Sequence, residues 1–412
     1  MVITRRQLIR NAAISAPLFY LGPKSLLRAA FGAVGGGAKN IVFLELSGGL
    51  DGLNTVVPFG VNGGIYYTEY RPTIGVPEDD LLKLDTEIGL HPSLAELKTH
   101  FDAGRLAICQ GVSYPNPNFS HEVASGIWDT GTPSTPFGSG WLARYMALQG
   151  VPSFPSAIET NSSLDGLLRG SGQLVPAINS VNEFGLPFDG AYSGDKTNRK
   201  TAYQAMAQGL AAQSSQLGTM ADTALDIISL ENTFKSIPPY TPTATYPNSS
   251  ISKPLKMVAQ LLKANLGLRF FHVVYGGFDT HSDQDKDLYL TKKLQYISKG
   301  LNALHADLNA LGYGDDTIIV VYTEFGRTAY ENGSDGTDHG SVAPVLILGN
   351  AVVGGITTPH PSLDPNNLTS QKQPKMVVDL RDVFGTIVER WLNASPSAVF
   401  PGFTYNGLGF LP

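Results

Sequence analysis

Short apolar segments that end in glycine-rich or acidic turns restrict the fold of this sequence more than any other feature. The clearest is the run from Leu268 to Tyr275, which is followed by Gly276-Gly-Phe-Asp-Thr-His281. Runs of this length have the character of buried strands. Similar runs occur at four other places: 41–46, 106–109, 317–322 and 342–348.

Between these runs the sequence has the spacing of amphipathic helices. Leucine or isoleucine recurs every three or four residues from Leu290 to Leu308, which places an apolar stripe along one helix face. We predict further helices from Pro92 to Ala103, from Leu255 to Asn265 and from Arg381 to Leu392. Strands that alternate with helices are typical of an α/β domain with a mostly parallel sheet and helices on both faces.

The alternation is interrupted from about residue 160 to residue 254. Loops rich in Gly, Ser and Asn surround a helical region from about Lys200 to Phe234. A chain of 412 residues is long enough for one large domain with an insertion. We therefore interpret 160–254 as an insertion or cap over the sheet, and as the surface through which a protein partner would bind.

The N-terminus carries an export signal. Thr4-Arg-Arg-Gln-Leu-Ile-Arg10 resembles the twin-arginine motif, and a moderately apolar segment follows from Asn11 to Leu21. That segment is too short and too interrupted to span a bilayer, and no later run is a better candidate. We expect residues 1–38 to be a signal peptide and residues 39–412 to be periplasmic or secreted through the twin-arginine route, without a transmembrane anchor.

Charge and cysteine content exclude several functions. Residues 1–38 contain five basic residues and no acidic one, so their removal changes the net charge from -6 to -11. Such a charge argues against a nucleic-acid partner. The single cysteine, Cys109, excludes an internal disulfide and a thiolate metal cluster, and we expect it to be buried and inert.

Acidic residues and histidines lie at the turns of the predicted sheet. Parallel strands place their carboxyl ends at one edge, where open α/β folds keep their sites. Crowded carboxylates and imidazoles repel one another unless a cation holds them, so the pattern favours one or two divalent ions, such as zinc, calcium, magnesium or manganese. The simpler alternative is a set of polar loops with an Asp-capped helix. The residues are Asp51, Asp279, His281, Glu324, Asp338 and His339.

One pair in this set precedes its strand. Asp338 and His339 lie directly before the run 342–348, whereas the others follow a run. They can reach the same edge only if that strand is antiparallel, or if the loop folds back.

Five segments occur in a fixed order: Gly48-Gly-Leu-Asp-Gly-Leu-Asn54, Ser120-His-Glu122, Gly276-Gly-Phe-Asp-Thr-His281, Thr323-Glu-Phe-Gly-Arg327 and Gly336-Thr-Asp-His-Gly340. This order resembles the family catalogued as domain of unknown function 1501, whose members are twin-arginine-exported, sulfatase-like proteins of the alkaline phosphatase superfamily. The resemblance reaches Val399-Phe-Pro-Gly402 and is weakest from about 160 to 254. It implies a three-layer α/β/α sandwich of alkaline-phosphatase-like type, with a metal-dependent site for phosphate or sulfate esters.

The resemblance also implies roles for single residues. Asp51 looks like the first-strand metal ligand. Asp279 and His281 look like the Asp/His ligand pair, and His339 looks like the late metal-binding histidine. Ser120 looks like the nucleophile position, although serine is also a favoured helix N-cap that needs no chemistry.

The remaining candidates have two possible roles each. His121 is a metal ligand or orients Ser120, and Arg327 binds an anionic ester oxygen or forms only a salt bridge. Glu324 and Asp338 contact the metal directly or support its ligands. Glu324 stands where superfamily hydrolases usually have an adjacent Asp-His pair, and the sequence has no Cys-x-Pro-x-Arg segment for a sulfatase formylglycine.

These expectations lead to two hypotheses. The first is an exported, metal-dependent hydrolase of phosphate esters, or secondarily of sulfate esters, that acts on a small molecule or a glycan. The second is a secreted binding or structural protein that keeps the fold without catalysis. A Ser120 close to the Asp/His residues would favour the hydrolase. We expect four other histidines to be structural or at the surface: His91, His100, His272 and His360.

Overall fold

A computed structural model describes residues 38–60, 63–150, 155–185, 195–211, 213 and 215–412. The predicted signal peptide lies outside these residues except for Ala38. None of the helices that the structure describes combines the length and the apolar character needed to cross a bilayer.

The strands form a central sheet and two small ladders. In the described part of the chain they are β1 (Asn40–Glu45), β2 (Val56–Pro58), β3 (Leu82–Lys83), β4 (Ile88–Leu90), β5 (Leu106–Ser113), β6 (Ala157–Glu159), β7 (Phe270–Val274), β8 (Thr317–Tyr322), β9 (Gly326–Arg327), β10 (His339–Gly340), β11 (Ala343–Leu348), β12 (Gly355–Ile356) and β13 (Val378–Asp379). The central sheet has the order β12-β5-β11-β8-β1-β7-β6, and β13 pairs with β5. β11 is antiparallel to both neighbours and the other pairs are parallel, which confirms a mostly parallel sheet.

The helices of the described residues are α1 (Gly52–Thr55), α2 (Gly64–Tyr70), α3 (Ala95–Asp102), α4 (His121–Thr130), α5 (Trp141–Leu148), α6 (Asp195–Ala211), α7 (Gln216–Lys235), α8 (Ser252–Ala264), α9 (Tyr289–Ala310), α10 (Leu380–Thr386) and α11 (Pro396–Val399). A π-helical turn, Ile387–Trp391, continues α10. Short 3-10 turns cover Glu78–Asp80, Pro92–Leu94, Gly166–Leu168, Lys286–Leu288 and Gly314–Asp316.

The central sheet separates two hydrophobic cores. Alternate residues of β1 point to opposite faces, so that Val42 and Leu44 belong to one core and Ile41 and Phe43 to the other. Helices α3, α8 and α9 cover the first face, and α4, α5 and α10 cover the second. Each fully buried aliphatic or aromatic side chain stabilises the fold by about 1.5–3 kcal/mol. The result is a three-layer α/β/α sandwich, which confirms the predicted fold class.

Helix α9 shows how directly the spacing determines the packing. The predicted stripe from Leu290 to Leu308 is buried in the first core. His305, beside the stripe, forms a hydrogen bond with Asn350 at 2.9 Å, which agrees with a structural role. Cys109 is fully buried in the second core, and burial raises the pKa of its thiol to about 12.

The region 160–254 contributes to the main cores as well as to its own packing. Leu167 and Leu168 belong to the second core, and Leu230 and Phe234 of α7 belong to the first. Alanines of α6 and α7 form a separate small cluster between these helices. The interpretation of this region as an insertion or cap stays a prediction.

Two features of the chain bring residues 338–340 to the sheet edge. The strand that follows them, β11, is antiparallel, which is the first of the two predicted alternatives. In addition, β10 pairs with β9, which places His339 opposite Arg327. Gly340 permits this contact, because a Cβ there would lie 2.2 Å from the backbone of Arg327.

Candidate metal centre

Asp279 lies at the centre of a polar group at the carboxyl edge of the central sheet, in the turn after β7. Gly48, in the turn after β1, has a φ of +119°, and a Cβ there would lie 2.6 Å from the backbone nitrogen of Asp279. Only glycine lets the two turns approach this closely. The side chain of Asp279 is 45% exposed, so small molecules can reach its carboxylate.

Three imidazoles surround this carboxylate. The Nε2 atoms of His281 and His339 lie 3.0 Å and 3.1 Å from Asp279 Oδ1. His121 Nε2 lies 3.4 Å from Asp279 Oδ2. One ligand atom from each of His121, Asp279 and His339 lies within 4.8 Å of the other two. We call His121, Asp279, His281 and His339 the edge cluster.

The second nitrogen of each ring faces a hydrogen-bond acceptor outside the edge cluster. When Nδ1 donates its proton to such an acceptor, the Nε2 atom of a neutral imidazole carries a lone pair. This arrangement is usual for metal-binding histidines. The acceptors are Glu324 Oε1 for His121 (2.6 Å), Asp338 Oδ1 for His281 (3.2 Å) and the carbonyl oxygen of Phe119 for His339 (2.7 Å).

Two features of the edge cluster fit a divalent cation. His281 Nε2 and His339 Nε2 are 3.0 Å apart, which brings two lone pairs together unless one ring is protonated. His121 Nε2 is buried and has no hydrogen-bond partner. A cation bound by these nitrogens and by Asp279 would satisfy all of them, because imidazole and carboxylate are common ligands of zinc and similar ions.

The surrounding charges keep Asp279 ionised. Partial burial alone would raise its pKa, but hydrogen bonds from Arg327 and His339 lower the pKa of Asp279 to about 2. The hydrogen bond with Glu324 raises the pKa of His121, against the opposite effect of burial. Asp279 therefore carries a negative charge throughout the neutral range.

The family of this chain follows from a match along most of its length. The model of the family described as "Protein of unknown function (DUF1501)" matches residues 38–394. The chain belongs to the DUF1501 family. This confirms the family that the five segments indicate. A search of curated proteins finds no match to this DUF1501 chain.

A search of solved structures finds similar chains at low sequence identity. The lipoteichoic acid synthase LtaP from Listeria monocytogenes is 10% identical over 94% of this chain and 78% of that chain, with a TM-score of 0.39. A protein of the alkaline phosphatase superfamily from Vibrio parahaemolyticus is 11% identical over 96% and 78%, with a TM-score of 0.36. The PsFucS1 sulfatase from Pseudoalteromonas sp. is 12% identical over 94% and 72%, with a TM-score of 0.36. All three TM-scores are below 0.5, so family membership rests on the family model.

Asp51, the predicted first-strand ligand, is not part of the edge cluster of this DUF1501 protein. Its buried carboxylate accepts hydrogen bonds from Arg71 Nη1 and Gln284 Nε2, each at 2.6 Å, and from the backbone of Asn54. The Arg71 and Asp51 side chains are both fully buried. A carboxylate held by a buried guanidinium is already neutralised. The structure thus places Asp51 in an internal ion pair, and no motif in the sequence pointed to Arg71.

Arg327 is fully buried beneath the edge cluster. Its guanidinium donates to Asp279 Oδ1 at 2.8 Å, and its remaining donors face backbone carbonyls. Of the two roles considered for Arg327, the structure favours the salt bridge, because no part of the side chain is accessible to an ester. The carbonyls belong to Gly48, Gly49, Phe278 and Thr337.

Glu324 and Asp338 contact the histidines of the edge cluster from behind. Glu324 is buried, and it also accepts hydrogen bonds from the backbone of Gly48 and the hydroxyl of Thr323, each at 2.9 Å. Asp338 is exposed and also accepts from Asn332 Nδ2 at 3.2 Å. Of the two roles considered for them, this geometry favours the support of metal ligands.

Ser120 is an exposed residue between Phe119, whose carbonyl faces His339, and His121, a member of the edge cluster. It occupies the N-cap position of α4, but its side chain forms no capping hydrogen bond. Ser120 thus has the N-cap position that the alternative predicts, but without the side-chain hydrogen bond that makes serine favourable there. The role of Ser120 as a nucleophile stays a prediction.

A second group of potential ligands was not foreseen from the sequence. Glu45, Asp165 and His272 each offer one ligand atom, and these atoms lie within 4.8 Å of one another. The sequence predicts a structural or surface position for His272. The structure places it in the core, fully buried, between Glu45 and Glu159. The available signal was a charged residue, Glu45, and an imidazole, His272, within otherwise apolar strands.

Proposed function

We propose that this DUF1501 protein is an exported, metal-dependent hydrolase of phosphate esters, with sulfate esters as the second substrate class. The substrate would be a small molecule or a glycan that carries such an ester. The observation that supports this most strongly is the convergence of three Nε2 atoms on the half-exposed carboxylate of Asp279, directly beside the exposed Ser120.

His121, Asp279 and His339 would hold the divalent cation, and His281 would complete the site. Three imidazoles and one carboxylate suit zinc better than calcium or magnesium, which prefer oxygen ligands. When bound, the cation supplies Lewis-acid charge and lowers the pKa of an adjacent hydroxyl group or water.

The protein's own groups would position the reaction. Ser120 would attack the phosphorus or sulfur atom from the N-terminus of α4, a helix of 10 residues. The bond to the ester's alcohol would break, and the alcohol would leave with the proton lost by the Ser120 hydroxyl. Water would then hydrolyse the seryl ester, which releases phosphate or sulfate and restores Ser120. The free N–H groups of the first turn of a helix bind anions, so they would hold the ester group beside Ser120. Glu324 and the Phe119 carbonyl would keep two of the imidazoles in their orientation, and Arg327 would hold Asp279.

The test is hydrolysis of phosphate monoesters, phosphate diesters and sulfate esters by protein that has been stripped with a chelator and reloaded with single metals. We expect turnover only in reloaded protein. Ser120→Ala should lower turnover on the order of 10³-fold or more and keep the metal, because only the nucleophile is removed. Asp279→Ala should lose both metal and turnover.

A matched control is Ser395→Ala. Ser395 is also an exposed N-cap serine without a side-chain capping bond, and it precedes α11. Its variant should keep full turnover. Turnover that survives Ser120→Ala would assign the attack to a metal-bound water. Absence of hydrolysis by the wild type with every metal and ester class would favour the non-catalytic binding protein instead.

Export through the twin-arginine route forms a separate part of this proposal. Arg5 and Arg6 precede a weakly apolar segment, a combination that suits export of a folded, metal-loaded protein. Replacement of both arginines by lysine should keep the precursor in the cytoplasm. An unchanged extracytoplasmic yield of the double variant would contradict this route.

A further inference from the structure

A group of polar side chains lies on the second-core face of the sheet, on four neighbouring strands that end with the edge strand β6. Glu45 on β1 is opposite Tyr322 on β8, and Glu159 on β6 is opposite His272 on β7. These four residues are buried, and those of β1, β7 and β8 share their face with Phe43, Phe270 and Val320 of the second core. We call Glu45, Glu159, Asp165 and His272 the core cluster.

His272 connects the carboxylates of the core cluster. Its Nδ1 lies 2.7 Å from Glu159 Oε2, and its Nε2 lies 3.4 Å from Glu45 Oε2. The Tyr322 hydroxyl is 3.1 Å from the same Nε2. With Glu159 on Nδ1, the imidazole presents Nε2 toward Glu45, an arrangement that is usual for metal-binding histidines.

Two aspartates cover this group from the helical layer. Asp165 precedes a 3-10 turn and accepts a hydrogen bond from the backbone of Gly166 at 2.6 Å. Asp129 of α4 approaches the same turn so closely that a Cβ on Gly166 would lie 2.3 Å from its Oδ2. The core cluster and Asp129 together contain four carboxyl groups and one imidazole.

Among the described residues, His272 is the one group that can offer a positive charge to these four carboxyl groups. No lysine or arginine described in the structure forms an ion pair with any of the four carboxylates, and the one partner is His272. Glu159 is fully buried beside His272, and its Oε1 atom accepts no hydrogen bond. Buried anions without compensation are strongly destabilising, by several kcal/mol per ion.

We propose that the core cluster is a second divalent-cation site, with Glu45, Asp165 and His272 as ligands and Glu159 as the support of His272. A site rich in carboxylates with a single imidazole suits manganese better than the imidazole-rich edge cluster does. A bound cation would neutralise the acidic group and tie the loop before Gly166 to the sheet. The site is independent of the proposed ester hydrolysis.

The two sites have no residue in common, and helix α4 runs from His121 of the edge cluster toward the turn that follows Asp165. His121 begins α4 and Asp129 lies eight residues later, which corresponds to about 12 Å along the helix axis. Each site can therefore be removed without replacing a ligand of the other.

The experiment measures bound metal per chain in full-length mature protein that has been loaded with Mn²⁺ and freed of excess metal. Asp165→Asn keeps the oxygen that caps the 3-10 turn but removes the charge. It should lose one bound ion per chain, as should the isosteric Glu45→Gln. Asp85→Asn, which changes an exposed turn aspartate outside both clusters, serves as the matched control and should lose none.

Asp279→Ala separates this proposal from the proposed function. If both sites hold Mn²⁺, Asp279→Ala and Asp165→Asn each lose one ion, and the double variant loses both. If only the core site holds Mn²⁺, Asp279→Ala loses none while Asp165→Asn still does, and the zinc-loaded protein of the preceding subsection tests the edge cluster. Unchanged metal content in both Asp165→Asn and Glu45→Gln would overturn the core site and leave a cluster that is neutralised by protons.

A measurement on the wild type covers the case in which the variants do not fold. Crystals soaked in Mn²⁺ should give an anomalous-difference peak between Glu45, Asp165 and His272. No peak there at saturating Mn²⁺ would overturn the proposal.

Discussion

The edge cluster and the core cluster contain the same kinds of side chain in opposite environments. In the edge cluster, Asp279 is 45% exposed and Arg327 neutralises it from below. In the core cluster, Glu159 and His272 are fully buried, and no described lysine or arginine pairs with the carboxylates. The imidazoles outnumber the carboxylate in the first, whereas the carboxylates outnumber the imidazole in the second.

This difference indicates two separate uses of the same chemistry. A cation bound at an accessible site can exchange water for a substrate, which a catalytic site requires. A buried acidic group cannot exchange ligands rapidly, and its main effect is on the free energy of unfolding. Substitutions in the core cluster should therefore change stability, and substitutions in the edge cluster should change metal binding and turnover.

The largest effect on stability should come from His272→Leu. Loss of the imidazole leaves Glu45 and Glu159 buried without their partner, and breaking such a pair costs about 3–5 kcal/mol of unfolding free energy. Chemical denaturation of metal-free protein measures it. His281→Ala, at the half-exposed edge, should cost less than about 1 kcal/mol under the same conditions. Equal losses in the two variants would remove the distinction between the clusters.

Asp307→Asn tests whether hydrogen bonds alone can stabilise a buried carboxylate. Asp307 accepts hydrogen bonds from the backbone of Thr243 at 2.8 Å and from the Tyr246 hydroxyl at 2.9 Å, whereas Glu45 and Glu159 are paired with His272. The variant should lose about 1–3 kcal/mol at neutral pH. A variant as stable as the wild type would show that this network is dispensable.

The pH dependence of the same pair of proteins gives a second readout. Burial alone would raise the pKa of Asp307, but hydrogen bonds from Thr243 and Tyr246 lower it. Because the folded-state pKa is below the unfolded-state value, the carboxylate contributes stability above the unfolded-state value and loses it as the pH falls through the folded-state value. The advantage of the wild type over Asp307→Asn should therefore shrink as the pH falls below the unfolded-state pKa of about 3.9. A constant difference over this fall in pH would contradict the lowered pKa.

Glu324→Gln should weaken metal binding at the edge cluster without affecting the core cluster. The carboxylate orients His121 through Nδ1 from a fully buried position. Loss of such a support typically lowers metal affinity about 10- to 100-fold. Competition with a chromophoric chelator measures the change. Metal affinity equal to that of the wild type would show that His121 does not bind the ion.

The smallest effect should come from Asp338→Asn. Asp338 contacts His281 Nδ1 as Glu324 contacts His121, but its side chain is 64% exposed. Exposed ion pairs contribute about 0.2–1 kcal/mol, so metal affinity should fall at most about fivefold. A loss as large as that of Glu324→Gln would mean that His281 depends on Asp338 as strongly as His121 depends on Glu324.

The sequence determined the layers of the fold and the residues that follow the strands. Spacing of apolar residues is a local property, so the stripe from Leu290 to Leu308 and the strand before Asp279 could be read without knowledge of their neighbours. The same reasoning placed Asp279 and His281 in one turn. It also showed that His339 can reach this edge only before an antiparallel strand or through a loop that folds back, and β11 is antiparallel.

Only the tertiary structure decided the partner of each charged group. Asp51 follows its strand just as Asp279 does. However, Asp51 forms an ion pair with Arg71, whereas three imidazoles surround Asp279. The core cluster arises because four strands and a distant loop place Glu45 and His272 on one face. Electrostatic interactions depend on distances of a few ångströms between residues that lie far apart in the chain, and sequence spacing contains no measure of those distances.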